Sequence, residues 1–194
     1  MLNAPEEGVD IPAFCREVEE ILPHSLLQQV EVVYIGHFKE LAGRNAAYKN
    51  GGIYISCNEP TNFDLIEDFI HEVAHSLEEA FGWQVYDDKM ISEFKGKRNR
   101  LYHILTNEGF HIKSTLYSQT EYNPEFDKFL ADEVGYPLLL TLTMGLFVSP
   151  YGATSIQEYF ANGFEKYFLD SPQTVRDISP ILYKKIEEII NDQA

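Results

Sequence analysis

Two histidines and a glutamate lie close together in the segment FIHEVAHSLEE, residues 69–79. His71 and His75 are four residues apart, which on a helix places one above the other, with their Cβ atoms about 6 Å apart. At that separation both imidazoles can bind one metal ion, as they do in many zinc sites. Glu72 follows His71 directly, where its carboxylate could act as a base on a water molecule without binding the metal. The pattern therefore predicts a metal site that carries its own general base.

The same three residues could also occur by chance on the solvated edge of an amphipathic helix. In a chain of 194 residues such a match is expected on the order of 1% of the time, so the motif is informative without being sufficient. The pair of histidines still lacks a third protein ligand, because a catalytic zinc usually has three and leaves the fourth position to water. No third histidine follows in SLEEAFGWQ, so this ligand must come from another part of the chain.

A glutamate from a later segment is the other common source of a third ligand. The candidates are Glu158 in SIQEYFANGF, Glu133 in LADEVGY and, less well placed, Glu108 or His111 in NEGFHIK. Glu158 begins an apolar helical segment, but Ser155 and Glu158 also match a capping box, in which Glu158 would only stabilise the start of the helix. Thr154 and Gln157 offer an equivalent cap one residue earlier, which would release Glu158. Spacing alone leaves the choice open.

The segments HEVAH and SPYGATSIQEYFANGFEKYFLDSP together resemble the zinc peptidase domain of anthrax lethal factor and its relatives, which include the bacterial Pro-Pro endopeptidases. In that family one helix carries H-E-x-x-H, and a later helix carries E-[FY]-F-A with the third zinc ligand as its first residue. The resemblance implies one Zn²⁺ per chain, bound by His71, His75 and Glu158. It also implies that Glu72 is the general base.

Two further residues take their expected roles from the same resemblance. The family has a tyrosine, in a Tyr-Gly pair seven residues before the ligand glutamate, that supports the reaction, and Tyr151 stands at that place. Asn162 stands where the relatives have a second glutamate. Its amide can accept a hydrogen bond from a ligand imidazole but brings no negative charge, so we expect it to weaken zinc binding without changing the ligands.

The segment NAAYKNGGIYIS, residues 45–56, predicts a β-hairpin, with two short strands around Asn50-Gly51-Gly52. The resemblance extends loosely to this hairpin, and in zincins an edge strand above the motif helix pairs with extended substrate. We therefore expect backbone groups near Ala46 and Ala47 to bind substrate by β-strand addition. The alternative is an inner strand or a loop at residues 45–48.

The motif helix has clear signals of its own. Thr61 and Asp64 form a capping-box pattern at its start, and Gly82 is the expected end. Its predicted buried face repeats at helical spacing and consists of Ile66, Ile70, Val73 and Leu77.

Elsewhere the sequence predicts a helix at 14–22, a strand at 30–36, and a buried helix or strand at 134–148. Two closing helices are expected at 155–169 and 174–190, the second beginning near Ser179-Pro180. Much of 85–133 gives no clear assignment.

Composition narrows the possible partners. The net charge of −16 argues against nucleic acid, because a phosphate backbone requires a basic surface. Acidic residues are frequent near the motif helix, at Glu59, Asp64, Glu67, Asp68, Glu78 and Glu79. They predict a preference for peptide substrates with Lys or Arg beside the cleaved bond, or else a solvated face that only maintains solubility. Cys15 and Cys57 are too few for a disulfide framework.

Together with these patterns, the resemblance implies one α+β metallopeptidase domain over residues 1–194 with a zincin-like fold. A small twisted mixed sheet would pack on the motif helix in about 1–83, and a mainly helical lobe would occupy about 84–194. The expected activity is hydrolysis of internal peptide bonds in a protein or peptide. The alternatives are a catalytically silent metal-binding or interaction protein on the same fold and a helical structural protein with a coincidental motif. No signal peptide or membrane span is evident, so a cytoplasmic location is the default, with non-classical export left open.

Overall fold

The computed structural model describes residues 9–192, an α+β chain in which three strands are followed mostly by helices. The strands are β1 (Val32–Gly36), β2 (Ala46–Lys49) and β3 (Gly52–Ser56). The helices are α1 (Ile11–Ile21), α2 (Asn62–Val85), α3 (Asp88–Asn107), α4 (Pro124–Lys128), α5 (Tyr136–Leu142), α6 (Ile156–Leu169), α7 (Pro172–Ile178) and α8 (Pro180–Asp192). A π-helical segment, Phe129–Val134, follows α4 directly. Short 3₁₀ turns occupy His24–Leu27, Lys39–Leu41, Ser114–Ser118 and Pro150–Ala153.

The chain divides into two compact units whose boundary falls within the sequence of α2. The first unit extends to Gly82 and also contains the end of α8 from Ile189 onward. The second unit consists of Trp83–Glu188. None of the helices between residues 9 and 192 combines the length and the hydropathy that a membrane span requires.

The three strands form one mixed sheet in the order β1-β3-β2, so β2 lies at an edge. The central strand β3 is parallel to β1 and antiparallel to β2. Asn50 (φ 50°) and Gly51 (φ 79°) join β2 to β3 with two positive φ angles, the backbone that a type I′ turn needs. The predicted strand near 30–36 and the predicted hairpin are both confirmed.

The first unit builds its core from one face of α2, the sheet and α1. The rings of Phe14 on α1 and Phe69 on α2 meet edge to face with centroids 5.6 Å apart. The predicted buried face of α2 is confirmed, and its members Ile66, Ile70, Val73 and Leu77 are almost completely buried. Because these four residues face the core, the histidines lie on a different face of α2.

The start of α2 is as predicted, but its end is not. The backbone N–H of Asp64 donates to Thr61 Oγ1, at 3.2 Å, which caps the helix at the predicted place. The predicted end at Gly82 is wrong, because α2 continues to Val85. Gly82 is not among the glycines with positive φ, so it does not form the left-handed cap that ends many helices. Val85 is fully buried, which favours the extra turn.

The second unit is organised around α3, which lies in the expected mainly helical lobe but in the stretch 85–133 where the sequence gives no clear bounds. Asp87 caps it by accepting from the backbone N–H groups of Lys89 and Met90. The buried stripe of α3 has Phe94 before and Leu101 after a fully buried arginine, Arg98. Arg98 interrupts the helical repeat of apolar residues, and that repeat is the signal by which this helix could have been predicted.

The apolar stretch at 134–148 was predicted to be buried, and this is only partly correct. Leu139 and Leu146 are buried, but Leu138, Leu140 and Met144 are exposed by 41%, 57% and 81% of their surface. The reason is that α5 is only two turns long and ends at Leu142, so Met144 lies beyond it in the turn that contains Gly145 (φ 74°). A helix this short buries one side and leaves its other apolar side chains at the surface.

The closing helices α6 and α8 agree with prediction, with the short α7 placed between them. Glu93 of α3 accepts hydrogen bonds from the backbone N–H groups of Ile181 and Leu182, so its carboxylate caps the start of α8. It also accepts from the hydroxyl of Tyr159 on α6. One carboxylate of α3 thereby holds two of the helices that follow.

Candidate metal centre

The two motif histidines lie on the same face of α2. The ring centroids of His71 and His75 are 5.0 Å apart, and both side chains are partly buried. The positions follow from the helix period: with Ile70 and Val73 facing the core, residues 71 and 75 fall one above the other on the adjoining face. This is the arrangement that allows two imidazoles to bind one ion.

His75 is held in place by a carboxylate that the sequence analysis did not assign to the site. His75 Nδ1 lies 2.7 Å from Glu78 Oε1, one turn further along α2. A proton on Nδ1 that is donated to this carboxylate leaves the Nε2 lone pair for a metal ion. Metal-binding histidines usually have such a partner, so Glu78 is an orienting residue for His75. The available signal was its spacing, three residues after a candidate ligand on one helix.

Glu72 is buried and fixed by the sheet. Its side chain is 7% exposed, and its Oε2 accepts a hydrogen bond from the backbone N–H of Tyr48 on β2 at 2.6 Å. Glu72 therefore points from α2 towards the edge strand.

Glu158 lies in the first turn of α6, where the structure decides between the two caps that spacing left open. Ser155, and not Thr154, is the N-cap, and its Oγ accepts from the backbone N–H of Glu158 at 3.1 Å. Thr154 instead donates its hydroxyl to the carbonyl of Tyr151. This cap joins the side chain of Ser155 to the backbone of Glu158. The bond does not involve the Glu158 carboxylate.

One ligand atom from each of His71, His75 and Glu158 lies within 4.8 Å of the other two. Within residues 9–192 no other group of three histidine, cysteine, aspartate or glutamate side chains meets this distance. The group leaves out the other candidates, Glu133, Glu108 and His111. Two imidazole nitrogens and one carboxylate oxygen make a donor set that suits a divalent transition metal and leaves room for a further ligand.

Tyr151 lies on the 3₁₀ turn Pro150–Ala153, which packs on α6. Its backbone N–H donates to Ser149 Oγ at 3.2 Å, and its ring meets that of Tyr136 with centroids 6.4 Å apart. The side chain is 37% exposed.

Two neighbouring cations of α3 hold the segment that carries Tyr151. Arg98 Nη1 donates to the carbonyls of Ala153 and Thr154, and Lys97 Nζ donates to the carbonyl of Leu146. Burial lowers the pKa of Arg98 to about 10 and that of Lys97 to about 8, so both are mainly charged at neutral pH. A Lys-Arg pair in a charged segment usually indicates a solvated surface, so this role could not be predicted from the sequence.

Asn162 is buried one turn after Glu158. Its Nδ2 donates to the backbone carbonyl of Glu158 at 2.8 Å, which braces the first turn of α6. The expectation that its amide oxygen accepts from a ligand imidazole stays a prediction.

The register of β2 separates the two alanines expected to bind substrate. Ser56 N–H donates to the carbonyl of Asn45, so Asn45 faces β3, and by alternation Ala47 does too. Ala46 and Tyr48 have their backbone groups on the opposite edge, where Tyr48 N–H meets Glu72. Both alanines are buried, and Ala46 is the one whose backbone groups do not face β3.

No protein-family model, curated protein or solved structure matches this chain.

Proposed function

We propose that the protein is a zinc-dependent endopeptidase with a zincin-like fold, related to the lethal factor-like peptidases. The observation that carries the proposal lies on α2, where two imidazoles share one face and the second is bonded to Glu78. Glu72 follows the first imidazole in sequence, and its buried carboxylate is fixed by Tyr48 N–H. His71, His75 and Glu158 are the proposed zinc ligands. Their donor set is that of known zinc hydrolases, and the short distances among their ligand atoms support it.

Each remaining residue of the site has a proposed task in peptide hydrolysis. Zn²⁺, when bound, supplies a Lewis acid that polarises a carbonyl and lowers the pKa of water. Glu72 takes a proton from the attacking water and passes it to the leaving nitrogen. Because Tyr48 N–H engages Oε2, the other oxygen, Oε1, is the proposed proton acceptor. Tyr151 donates to the oxyanion that develops on the scissile carbonyl.

The proposal is tested with a peptide library and protein whose zinc content has been measured. The protein with about one zinc per chain should cleave internal peptide bonds, lose activity on chelation and recover it with added zinc. Full zinc occupancy without cleavage of any peptide would favour the catalytically silent metal-binding protein. Absence of bound zinc would favour a structural protein with a coincidental motif.

The peptides of the library should also differ in charge, because acidic residues are frequent near α2. Glu59 is buried, and burial followed by the neighbouring Asp64 raises its pKa, while Glu78 is bonded to His75. Any preference for substrates with Lys or Arg beside the cleaved bond therefore depends on the other acidic residues near α2, which are Asp64, Glu67, Asp68 and Glu79. If such steering operates, the advantage of basic over matched neutral peptides should shrink as salt rises. Equal rates at low salt would leave the acidic residues with a solubilising role.

Replacing Tyr151 by phenylalanine should keep the zinc and lower kcat. The change removes only a hydroxyl from a partly exposed ring, and donors to an oxyanion contribute about 3 kcal/mol where they have been removed, or about 100-fold in rate. The measurement is kcat and KM on one cleaved peptide, with zinc content as the control. Wild-type activity in Tyr151→Phe would leave Tyr151 with a packing role beside its turn.

Introducing proline at position 46 should raise KM if substrate adds to the edge of β2. Ala46→Pro removes a backbone donor on the open edge, and one hydrogen bond contributes about 0.5–1.5 kcal/mol, which is about two- to tenfold in KM. Ala47→Pro removes a donor that faces β3, so it should instead lower the melting temperature. Unchanged kinetics in a folded Ala46→Pro protein would place the substrate elsewhere.

A further inference from the structure

A polar pocket lies in the first unit, at the end of the sheet where the parallel strands β1 and β3 both finish. The last residues of these strands, Gly36 and Ser56, are paired, and the backbone N–H of Cys57 donates to the carbonyl of Gly36 at 3.3 Å. The pocket has a volume of about 360 Å³, within the range of about 300–1,000 Å³ that is usual for ligand sites. Its polar lining consists of His37, Arg44, Asn45, Ser56 and Asn58.

The side chains of this lining offer several hydrogen-bond donors to a ligand. Ser56 Oγ accepts from the backbone N–H of Asn58 at 3.1 Å, which leaves the hydroxyl proton of Ser56 for another acceptor. The ring of His37 lies against the buried thiol of Cys57, with Nε2 3.4 Å from Sγ. The amide groups of Asn45 and Asn58 add further N–H donors. A ligand with several acceptor oxygens would satisfy this arrangement.

Arg44 gives the pocket a positive charge. In the part of the chain that the structure describes, its guanidinium forms no ion pair and no hydrogen bond. A shortage of carboxylates is not the reason, since the chain has 31 Asp and Glu residues and only 15 Lys and Arg. No acidic side chain is among the described residues that line the pocket. A guanidinium presents its N–H groups as a planar fork that matches two oxygens of a carboxylate or a phosphate. The charge and the donors therefore favour an anion.

We propose that this pocket binds a small organic anion that carries a carboxylate or phosphate group. Arg44 pairs with the charged group, and the neighbouring hydroxyl, imidazole and amide groups donate to its remaining oxygens. Phe38 and Leu41 also line the pocket and supply an apolar wall for the organic part of the ligand. The pocket shares no residue with the candidate metal centre, so the inference does not depend on the proposed peptidase function.

The test compares Arg44→Gln with Lys39→Gln by titration calorimetry on the full chain. Both side chains are exposed and each change removes one positive charge, but only Arg44 lines the pocket. The probes are benzoate, phenyl phosphate and the uncharged benzyl alcohol. Wild type and Lys39→Gln should bind one or both anions, and should bind them about tenfold or more tightly than benzyl alcohol. Arg44→Gln should lose about tenfold or more in affinity for the anion, because hydrogen bonds between charged partners are the strong ones. The anion that binds more tightly identifies the charged group of the ligand.

Three results would each overturn the proposal. Equal losses in Arg44→Gln and Lys39→Gln would assign the binding to the general charge of the surface, an effect that salt screens. Unchanged affinity in Arg44→Gln would place the anion elsewhere, the candidate metal centre included. Benzyl alcohol bound as tightly as the anions, or no detectable binding of either anion to wild type, would show that the pocket does not select a negative charge. Peptide cleavage is measured separately, so none of these results decides the proposed peptidase function.

Discussion

Replacing Glu158 by alanine is expected to reduce bound zinc from about one per chain to a small fraction of that value. The change removes a ligand, which leaves two imidazoles to hold the ion. Loss of a residue that only orients a ligand typically costs about 10–100-fold in metal affinity, so loss of a ligand should cost more. The Ser155 cap uses the backbone N–H of Glu158, which alanine retains, so the start of α6 should survive. Elemental analysis after dialysis, with circular dichroism as a check on folding, provides the measurement.

Two other glutamate variants test whether the loss of zinc is specific to Glu158. Glu78→Gln removes the charge that orients His75 and should weaken zinc binding by about 10–100-fold while retaining the ligands. Glu133→Ala removes the competing candidate, which is exposed on the π-helical segment, and should leave zinc content unchanged. Affinity should therefore fall in the order Glu133→Ala, Glu78→Gln, Glu158→Ala. Full zinc in Glu158→Ala combined with loss in Glu133→Ala would assign the third ligand to Glu133.

The parts of the fold that could be predicted are those where local signals agree. In α2 the Thr61 cap and a regular buried face indicate the same helix, and the hairpin follows from an Asn-Gly turn between β-branched and aromatic residues. The end of α2 was missed because glycine permits a left-handed cap without requiring one. Burial of Val85, a tertiary effect, decided where the helix ends.

The parts that could not be predicted depend on buried charge. Arg98 and Lys97 are interior residues because backbone carbonyls of distant segments accept their hydrogen bonds, and a single sequence does not show which carbonyls will be near. The same holds for Glu78, whose role depends on the rotamer of His75. In the site, helical spacing was enough to place His71 and His75 on one face of α2. The choice among glutamates for the third ligand came from the resemblance and not from spacing.

The second large effect is expected for Glu72→Gln, which should retain zinc but lower turnover by about 100-fold or more. Glutamine has the same shape, and its side-chain oxygen can still accept from Tyr48 N–H, so the contact between α2 and β2 should persist. What the variant lacks is a group that can take a proton from water. The fall should therefore appear in kcat, with KM and zinc content close to wild type, because a general base acts in the transition state.

A matched substitution separates loss of the base from a general effect of lost charge. Glu19 is exposed on α1 in the same unit, so Glu19→Gln changes the net charge equally and should be as active as wild type. Equal losses in both variants would indicate electrostatic steering by the acidic surface, and this loss should disappear at high salt. A Glu72→Gln protein that binds zinc and cleaves peptides at the wild-type rate would remove Glu72 from the mechanism. Its burial and its bond to Tyr48 would then have a structural purpose, holding the edge strand against the motif helix.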